Sequence, residues 1–445
     1  MDQSVEERGQ EVLKVFNEAF GDLLAADPSA INTKFRKMAA SAFAFYRGTA
    51  TLFYHDQAKD AQPDPFLNDQ TRHIWMHGDL HAENFGTYMD SQGRLIFNVN
   101  DFDEAYVGPF TWDLKRFAAS IALIGYSKAL SDQQIVKLVQ HYAEAYRERI
   151  HQLSKLEKPK SEYHFTLATS SGPILEALQS ARLRSRPSLL DGMTEIHEYE
   201  RRFTLGGGAF ALDSETKAKV IAGFQEYLET LPPSARRGEG GRNIKDVVGR
   251  RGVGIGSAGL PSFNILLDGH SEALENDIVI YMKQSQPAAI SPHISHEAAQ
   301  SHFRHEGHRT VLSQRALQAH ADPWLGWTEL DGRGQLVAEV SPYAVDLEWG
   351  DINTPDEMAS VVADLGRATA MMHGAGDDDE RHSDLVPFSP EEAIDKAISE
   401  NEGEFVSLLT KFALEYSVRV RRDHHIFVDL FRNGRIPGLP DTSQL

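Results

Sequence analysis

The stretch from Ile74 to Phe102, "IWMHGDLHAENFGTYMDSQGRLIFNVNDF", constrains the fold more than any other part of this chain. Its two short apolar runs flank the turn-forming "MDSQGR", which predicts strand, turn, strand. A hairpin of that length would return Asp101 to the neighbourhood of Asn84, which itself follows Asp79 with the spacing D-x-x-x-x-N. Each of these three residues alone would serve as a turn or capping residue. Together, in this order and strand context, they are oxygen-bearing side chains placed to accept a proton and hold Mg²⁺. Phosphoryl transfer asks a protein mainly to position groups and neutralise charge, so such a constellation suits it. In that reading Asp79 is the catalytic base, and Asn84 and Asp101 are the metal ligands. His77 would support the loop by bonding backbone around it.

A second segment could hold phosphates. "GVGIGSAG" contains Gly254, Gly256, Ser257 and Gly259, and glycines let the backbone approach a phosphate closely. No helix follows, as a dinucleotide site would require; the strands "SFNILL" and "DIVIYMK" follow instead. A glycine loop between strands, with Lys283 on the third, forms a nucleotide cradle in kinases, where the lysine meets the α- and β-phosphates. Such a lysine needs a carboxylate partner on the next helix. Glu297 and Glu306 both qualify by sequence, and Glu306 is preferred because its helix continues into "TVLSQRAL".

The order of these segments is inverted relative to ordinary kinases. Small-molecule kinases of the aminoglycoside-phosphotransferase type share the "HGD" form and carry a helix resembling "LGRATAMMHG" immediately before it. Here "DLGRATAMMHGAG" spans Asp364 to Gly376, after the glycine loop and Lys283. Reading from Gly252 to the C-terminus and then from the N-terminus restores kinase order, as a circular permutation would. The expected fold is therefore α+β, a two-lobed, protein-kinase-like fold, circularly permuted. Residues 1–75 would form a helical segment, and 76–240 a large lobe with the catalytic and metal-binding loops. Residues 241–350 would form a small β-rich nucleotide lobe, and 351–445 helices completing the large lobe. Residues 5–60, most of 130–235 and one long segment from His296 are expected to be helical. "VAEVSPYA", near Val340, would be the hinge touching adenine.

The segments "FAFYRGTA", "HGDLHAENFG", "NDFDEAYVGPFTWDLKR", "GVGIGSAG" and "MKQS" resemble the signature segments of a bacterial family, domain of unknown function 2252. The resemblance runs from about Arg36 to about Phe431. It implies a kinase-like group with poorly defined substrates, and it supports Asp79, Asn84, Asp101 and Lys283, with Asp113 as a structural brace. After "GHR" the family leads one to expect Glu where this chain has Leu312, which leaves the partner of Lys283 open.

Composition bounds the rest. A net charge of −20 argues against a general nucleic-acid binder or a protein that hugs anionic membranes. A chain without cysteine has no disulfides, zinc–thiolate sites or thiol catalysis. The N-terminus lacks the pattern of a signal peptide, and "FAASIALIGY" is too short to span a bilayer, so a cytoplasmic address is expected. The expected function is an ATP- and Mg²⁺-dependent phosphotransferase acting on a small-molecule or protein acceptor, with Arg47 either lining the acceptor side or lying on plain surface. Alternatives are a nucleotide-binding regulator without transfer, AMP transfer on the same fold, and a metal-dependent hydrolase built on His77, Asp79 and His81.

Overall fold

The computed structural model describes residues 4–155, 160–233, 235, 242–251, 259–375 and 384–439. The expected N-terminal helical region is four helices: α1 (Val5–Ala26), α2 (Pro28–Ala39), α3 (Ala42–Arg47) and α4 (Ala50–Lys59). Local chemistry sets the breaks. The Ser4–Glu7 capping box starts α1, Asp27 ends it and caps α2 with Pro28 in the first turn, and Ser41 caps α3.

Strand β1 (Ile74–Met76) leads into the hairpin β2 (Phe85–Met89) and β3 (Leu95–Val99), which pair from Phe85 opposite Val99 to Met89 opposite Leu95. Asp90 closes the turn by accepting the Arg94 amide at 2.8 Å. β4 (Tyr106–Gly108) then returns antiparallel to β1. Helices α5 (Phe110–Ser127) and α6 (Asp132–Lys155) follow, then α7 (Gly172–Leu183) and α8 (Arg186–Met193).

The next stretch departs from the helical expectation. "TEIHEYERRF" forms a hairpin, β5 (Thr194–His197) with β6 (Glu200–Phe203), turned by Glu198 and Tyr199 at φ 50° and 69°. In its second strand Arg201 and Phe203 are buried between exposed Glu200, Arg202 and Thr204, the strand period that the surrounding helix formers obscured.

A six-stranded antiparallel sheet carries Lys283. Its strands are β7 (Ala209–Phe210), β8 (Ile244–Arg250), β9 (Ser262–Leu267), β10 (Ile278–Gln284), β11 (Gly326–Leu330) and β12 (Arg333–Glu339), in the order β11-β12-β10-β9-β8-β7. Helix α9 (Ser214–Leu228) buries Val220, Phe224 and Tyr227 against Ile265, Ile280 and Val337, giving the sheet its own core. Between β10 and β11 the expected single helix is two, α10 (Glu297–His302) and α11 (Glu306–Leu317). The break comes at Phe303–His305, where extended His305 caps α11 by accepting the His308 amide on its ring.

After β12 the chain runs along β2: the Thr87 amide donates to the Val345 carbonyl at 2.9 Å, and the Leu347 amide to that of Phe85 at 2.9 Å. Helices α12 (Pro355–His373), α13 (Pro390–Ser399) and α14 (Glu402–Arg432) complete a large helical core with α1–α6. Gly366 lets α12 lie against α6; a Cβ there would sit 2.5 Å from the Tyr142 carbonyl oxygen. Phe16 and Phe35 meet Phe427 at 5.7 and 5.5 Å, so both ends of the described chain share one core. Among the described residues no helix is long and apolar enough to cross a membrane.

His164 gives this core an acid-sensitive point. It is buried, and burial together with the charge of Arg94 pushes its ring down to about 4, against an ordinary 6.5. The unfolded chain therefore binds the extra proton between these values. His164's stability contribution is complete above pH 6.5 and is lost as pH falls toward 4. For His164→Leu, the loss of unfolding free energy between pH 7.5 and 4.5 should be smaller than in the wild type by roughly 2–3 kcal/mol in urea titrations. Identical losses would show that His164 is not held neutral.

Candidate active site

The loop from His77 to Asn84 is pinned from below by Asp113, in the first turn of α5. Its carboxylate accepts the His77 amide at 2.6 Å and the Gly78 amide at 3.0 Å, and His373, the last residue of α12, lies 3.2 Å away. Asp113 and His373 are both fully buried. Because a carboxylate only accepts, His373 donates from Nε2, and its Nδ1 then accepts the Tyr146 hydroxyl at 2.8 Å. The helix carrying "LGRATAMMHG" thus braces the "HGD" loop from far along the chain. Gly78 has φ +80°, and a Cβ there would fall 2.0 Å from the Glu104 carbonyl oxygen, so only glycine fits.

His77 ties the loop to the strand that follows. Its Nδ1 accepts the Asp79 amide at 3.2 Å, which leaves Nε2 to donate to the Asn100 carbonyl at 2.8 Å. Both ring nitrogens are therefore used, and His77 has none to offer a metal. Among the described residues no group of three or more His, Asp or Glu side chains is placed to hold a metal ion.

Asp79 rests on Arg116, an arginine that the sequence reading passed over. Nε and Nη2 of this wholly buried guanidinium lie 2.7 and 2.5 Å from Asp79 Oδ1. Arg116 also donates to the Tyr46 carbonyl at 3.1 Å and lies 4.4 Å from the Tyr46 ring centre. Asp79 Oδ2 is left for other partners, with His81 Nε2 at 3.9 Å. Burial pushes the Asp79 carboxyl above its ordinary range, against the opposing pull of Arg116. Arg47, on α3, pairs with Glu83.

Asn84 donates from Nδ2 to the Asp79 carbonyl at 2.9 Å, which leaves its Oδ1 for a cation. The Asn100 amide donates to the Asn84 carbonyl at 3.0 Å, so the hairpin does bring Asp101 back beside Asn84. Asp101 adopts φ 59°, ψ 69°, a left-handed conformation that Asp tolerates better than most residues. Asp101 is exposed at the edge of the site, but the protein crowded around it and the charge of Asp103 still raise its carboxyl above its ordinary range. An amide oxygen and a carboxylate are hard donors that fit Mg²⁺, which commonly takes one or two carboxylates and fills its sphere with phosphate and water.

Lys283 reaches this loop from β10. Its Nζ donates to Asp103 Oδ2 at 2.7 Å, although the two residues are 180 positions apart. Burial alone would lower the ammonium, but Asp103, Tyr281 and Asp101 hold it above its ordinary range. The carboxylate that meets Lys283 is thus Asp103. Glu306, expected for that role, instead accepts from Arg309 Nε at 2.5 Å, a partner three positions away on its own helix.

Arg309 is the second arginine missed, though "GHR" contains it. It donates to the carbonyls of Ala105 at 2.6 Å, Asp103 at 2.9 Å and Gln286 at 2.8 Å, clamping the acidic loop to the segment after β10. Glu104 adds a further link by accepting the Ala289 amide at 2.5 Å, and burial pushes its carboxyl up to about 7.

Gly254, Gly256 and Ser257 lie outside the described residues. Gly259 is described: it has φ +83°, and a Cβ there would lie 3.2 Å from Ala30 Cβ, at the start of α2. At the expected hinge, the Glu339 amide donates to Asp322 at 3.0 Å and the Val340 amide to the Val279 carbonyl at 2.8 Å. Those two amides are already used within the protein.

A cavity of about 600 Å³ opens beside Glu83, walled by Phe43, Leu123, Ile124 and Trp349. Lys128 and Arg421 also line it, and among the described residues neither pairs with a carboxylate.

No curated protein and no solved structure matches the chain. Residues 26–430 match the family described as "Uncharacterized protein conserved in bacteria (DUF2252)", and the chain belongs to that family.

Proposed function

We propose that this protein is an ATP- and Mg²⁺-dependent phosphotransferase with a circularly permuted, two-lobed kinase-like fold. The observation that carries the reading is the meeting of Lys283 and Asp103 at 2.7 Å, on the loop that also presents Asp101. Nothing in local secondary structure obliges residues so far apart to meet, whereas a shared triphosphate site requires the lysine to lie beside the loop that presents Asp101. The sheet's separate core and the brace from His373 to Asp113 support the same arrangement.

When bound, Mg²⁺-ATP would supply the transferable phosphoryl group and neutralise its charge. Asn84 Oδ1 and the Asp101 carboxylate would hold the metal, and Lys283 would exchange Asp103 for phosphate oxygens. Asp79, with Oδ1 fixed by Arg116, would present Oδ2 to the acceptor hydroxyl and take its proton as the acceptor oxygen–phosphorus bond forms and the bond from the γ-phosphorus to the bridging oxygen breaks, releasing ADP. The raised affinity of Asp79 for a proton favours that step. The cavity beside Glu83 is the acceptor's place in this reading, and its two cations suit an acceptor carrying an anionic group.

One observation favours a second reading. Lys283 is held by an acidic residue of the metal loop itself, and a protein that kept that pair closed would bind nucleotide without transfer. Incubation with labelled ATP and a panel of small-molecule and protein acceptors separates the possibilities. A γ-labelled product supports phosphotransfer, an α-labelled product means AMP transfer, and binding without turnover means a regulator. Absence of nucleotide binding removes all three.

A further inference from the structure

Lys34, in the middle of α2, is only 5% exposed. Its ammonium lies 4.3 Å from the Phe20 ring centre, and among the described residues no carboxylate or carbonyl bonds it. A buried ammonium with only an aromatic face for company is expensive to maintain, and folded proteins normally pair such a charge. Four other cations around the site each have a carboxylate partner: Arg116 with Asp79, Lys283 with Asp103, Arg47 with Glu83 and Arg309 with Glu306.

The position of Lys34 suggests what completes it. The carboxylates whose charge it feels most are Glu104 and then Asp79, yet it bonds neither. Its helix packs on α3, where the Tyr46 carbonyl holds Arg116 and so Asp79. The start of the same helix touches Gly259. Burial pushes the ammonium down to about 8, opposed by those two carboxylates, so it remains mostly charged at neutral pH.

We infer that Lys34 is a phosphate-contacting residue, donating to the terminal phosphoryl group of the bound nucleotide. The inference rests on the phosphotransferase reading and extends it to α2, which that reading leaves without a role. Lys283 reaches the site through Asp103, whereas Lys34 feels the charge of Asp79, the proposed base, past which the transferring group must go. A phosphoryl group in transit spreads negative charge over its equatorial oxygens, and a fixed, dehydrated ammonium stabilises that charge without reorganising.

The test is calorimetric titration of the full chain with Mg²⁺-ATP and Mg²⁺-ADP, comparing wild type with Lys34→Met. Removing an unpaired buried charge while keeping the stem should leave the fold at least as stable in urea. Lys34→Gln is measured alongside in case Met packs poorly against Phe20. The inference predicts that ATP affinity falls at least tenfold in a folded neutral variant while ADP affinity changes by less than threefold. Equal losses for ATP and ADP would overturn the terminal-phosphate assignment. Unchanged ATP affinity would overturn any phosphate contact while leaving the phosphotransferase reading intact. Wild-type protein that binds neither nucleotide would overturn that reading, and this inference with it.

Discussion

Replacing Asp113 by alanine should lower the unfolding free energy by about 3–5 kcal/mol, the scale expected when one partner of a buried charged network is removed. The fully buried Asp113 carboxylate accepts from the amides of His77 and Gly78 and from His373. Alanine leaves these three donors without an acceptor and without access to water. Asp113→Asn should cost less, about 1–3 kcal/mol, because one amide oxygen remains while its NH₂ opposes a donor. Both variants should lose nucleotide-dependent activity beyond their loss of stability, since the "HGD" loop would no longer be held in register. Urea unfolding measures the first effect, and activity assayed well below the unfolding transition measures the second. A loss under about 1 kcal/mol in Asp113→Ala would mean that the loop is held chiefly by other contacts.

Asp79→Asn should reduce turnover by at least 10²–10⁴-fold, the usual contribution of a positioned general base. This substitution is not silent structurally. Arg116 is wholly buried and binds Asp79 through two nitrogens, so the neutral amide leaves a buried guanidinium without a counter-charge. A stability loss of about 1–3 kcal/mol should accompany the loss of turnover. Mg²⁺-ATP affinity should persist within a few fold, because Asn84, Asp101 and Lys283 are unchanged. Turnover near the wild-type level would remove Asp79 from the role of base. Loss of ATP binding together with turnover would place Asp79 on the nucleotide.

What could be read from the sequence was local. The hairpin β2–β3 and the return of Asp101 to Asn84 follow from strand periodicity, a short turn and fixed spacing, and these survive in any context. The partner of Lys283 did not follow. "DFDEA" offers three acids within four positions, and only the tertiary approach of β10 selects Asp103. Arg116 left a readable trace: it heads "RFAASIALIG", a run with no other charged residue. A buried arginine in such a run requires an acidic partner, though nothing local identifies it as Asp79. Glu306 and Arg309 stand three apart on one helix, a spacing that favours their own pairing over a distant lysine. The hairpin β5–β6 was hidden because short alternating runs are easily outweighed by neighbouring helix formers.

The central claim is that Asp101, Asn84 and Lys283 serve one nucleotide. Crystals grown with Mn²⁺ in place of Mg²⁺ and a non-hydrolysable ATP analogue test it directly, because manganese is located by its anomalous scattering. The account predicts a manganese peak bridging Asp101, Asn84 and the analogue's phosphates, with Lys283 turned from Asp103 toward those phosphates. Nucleotide and manganese bound elsewhere on the protein, or absent at millimolar concentrations of both, would contradict it.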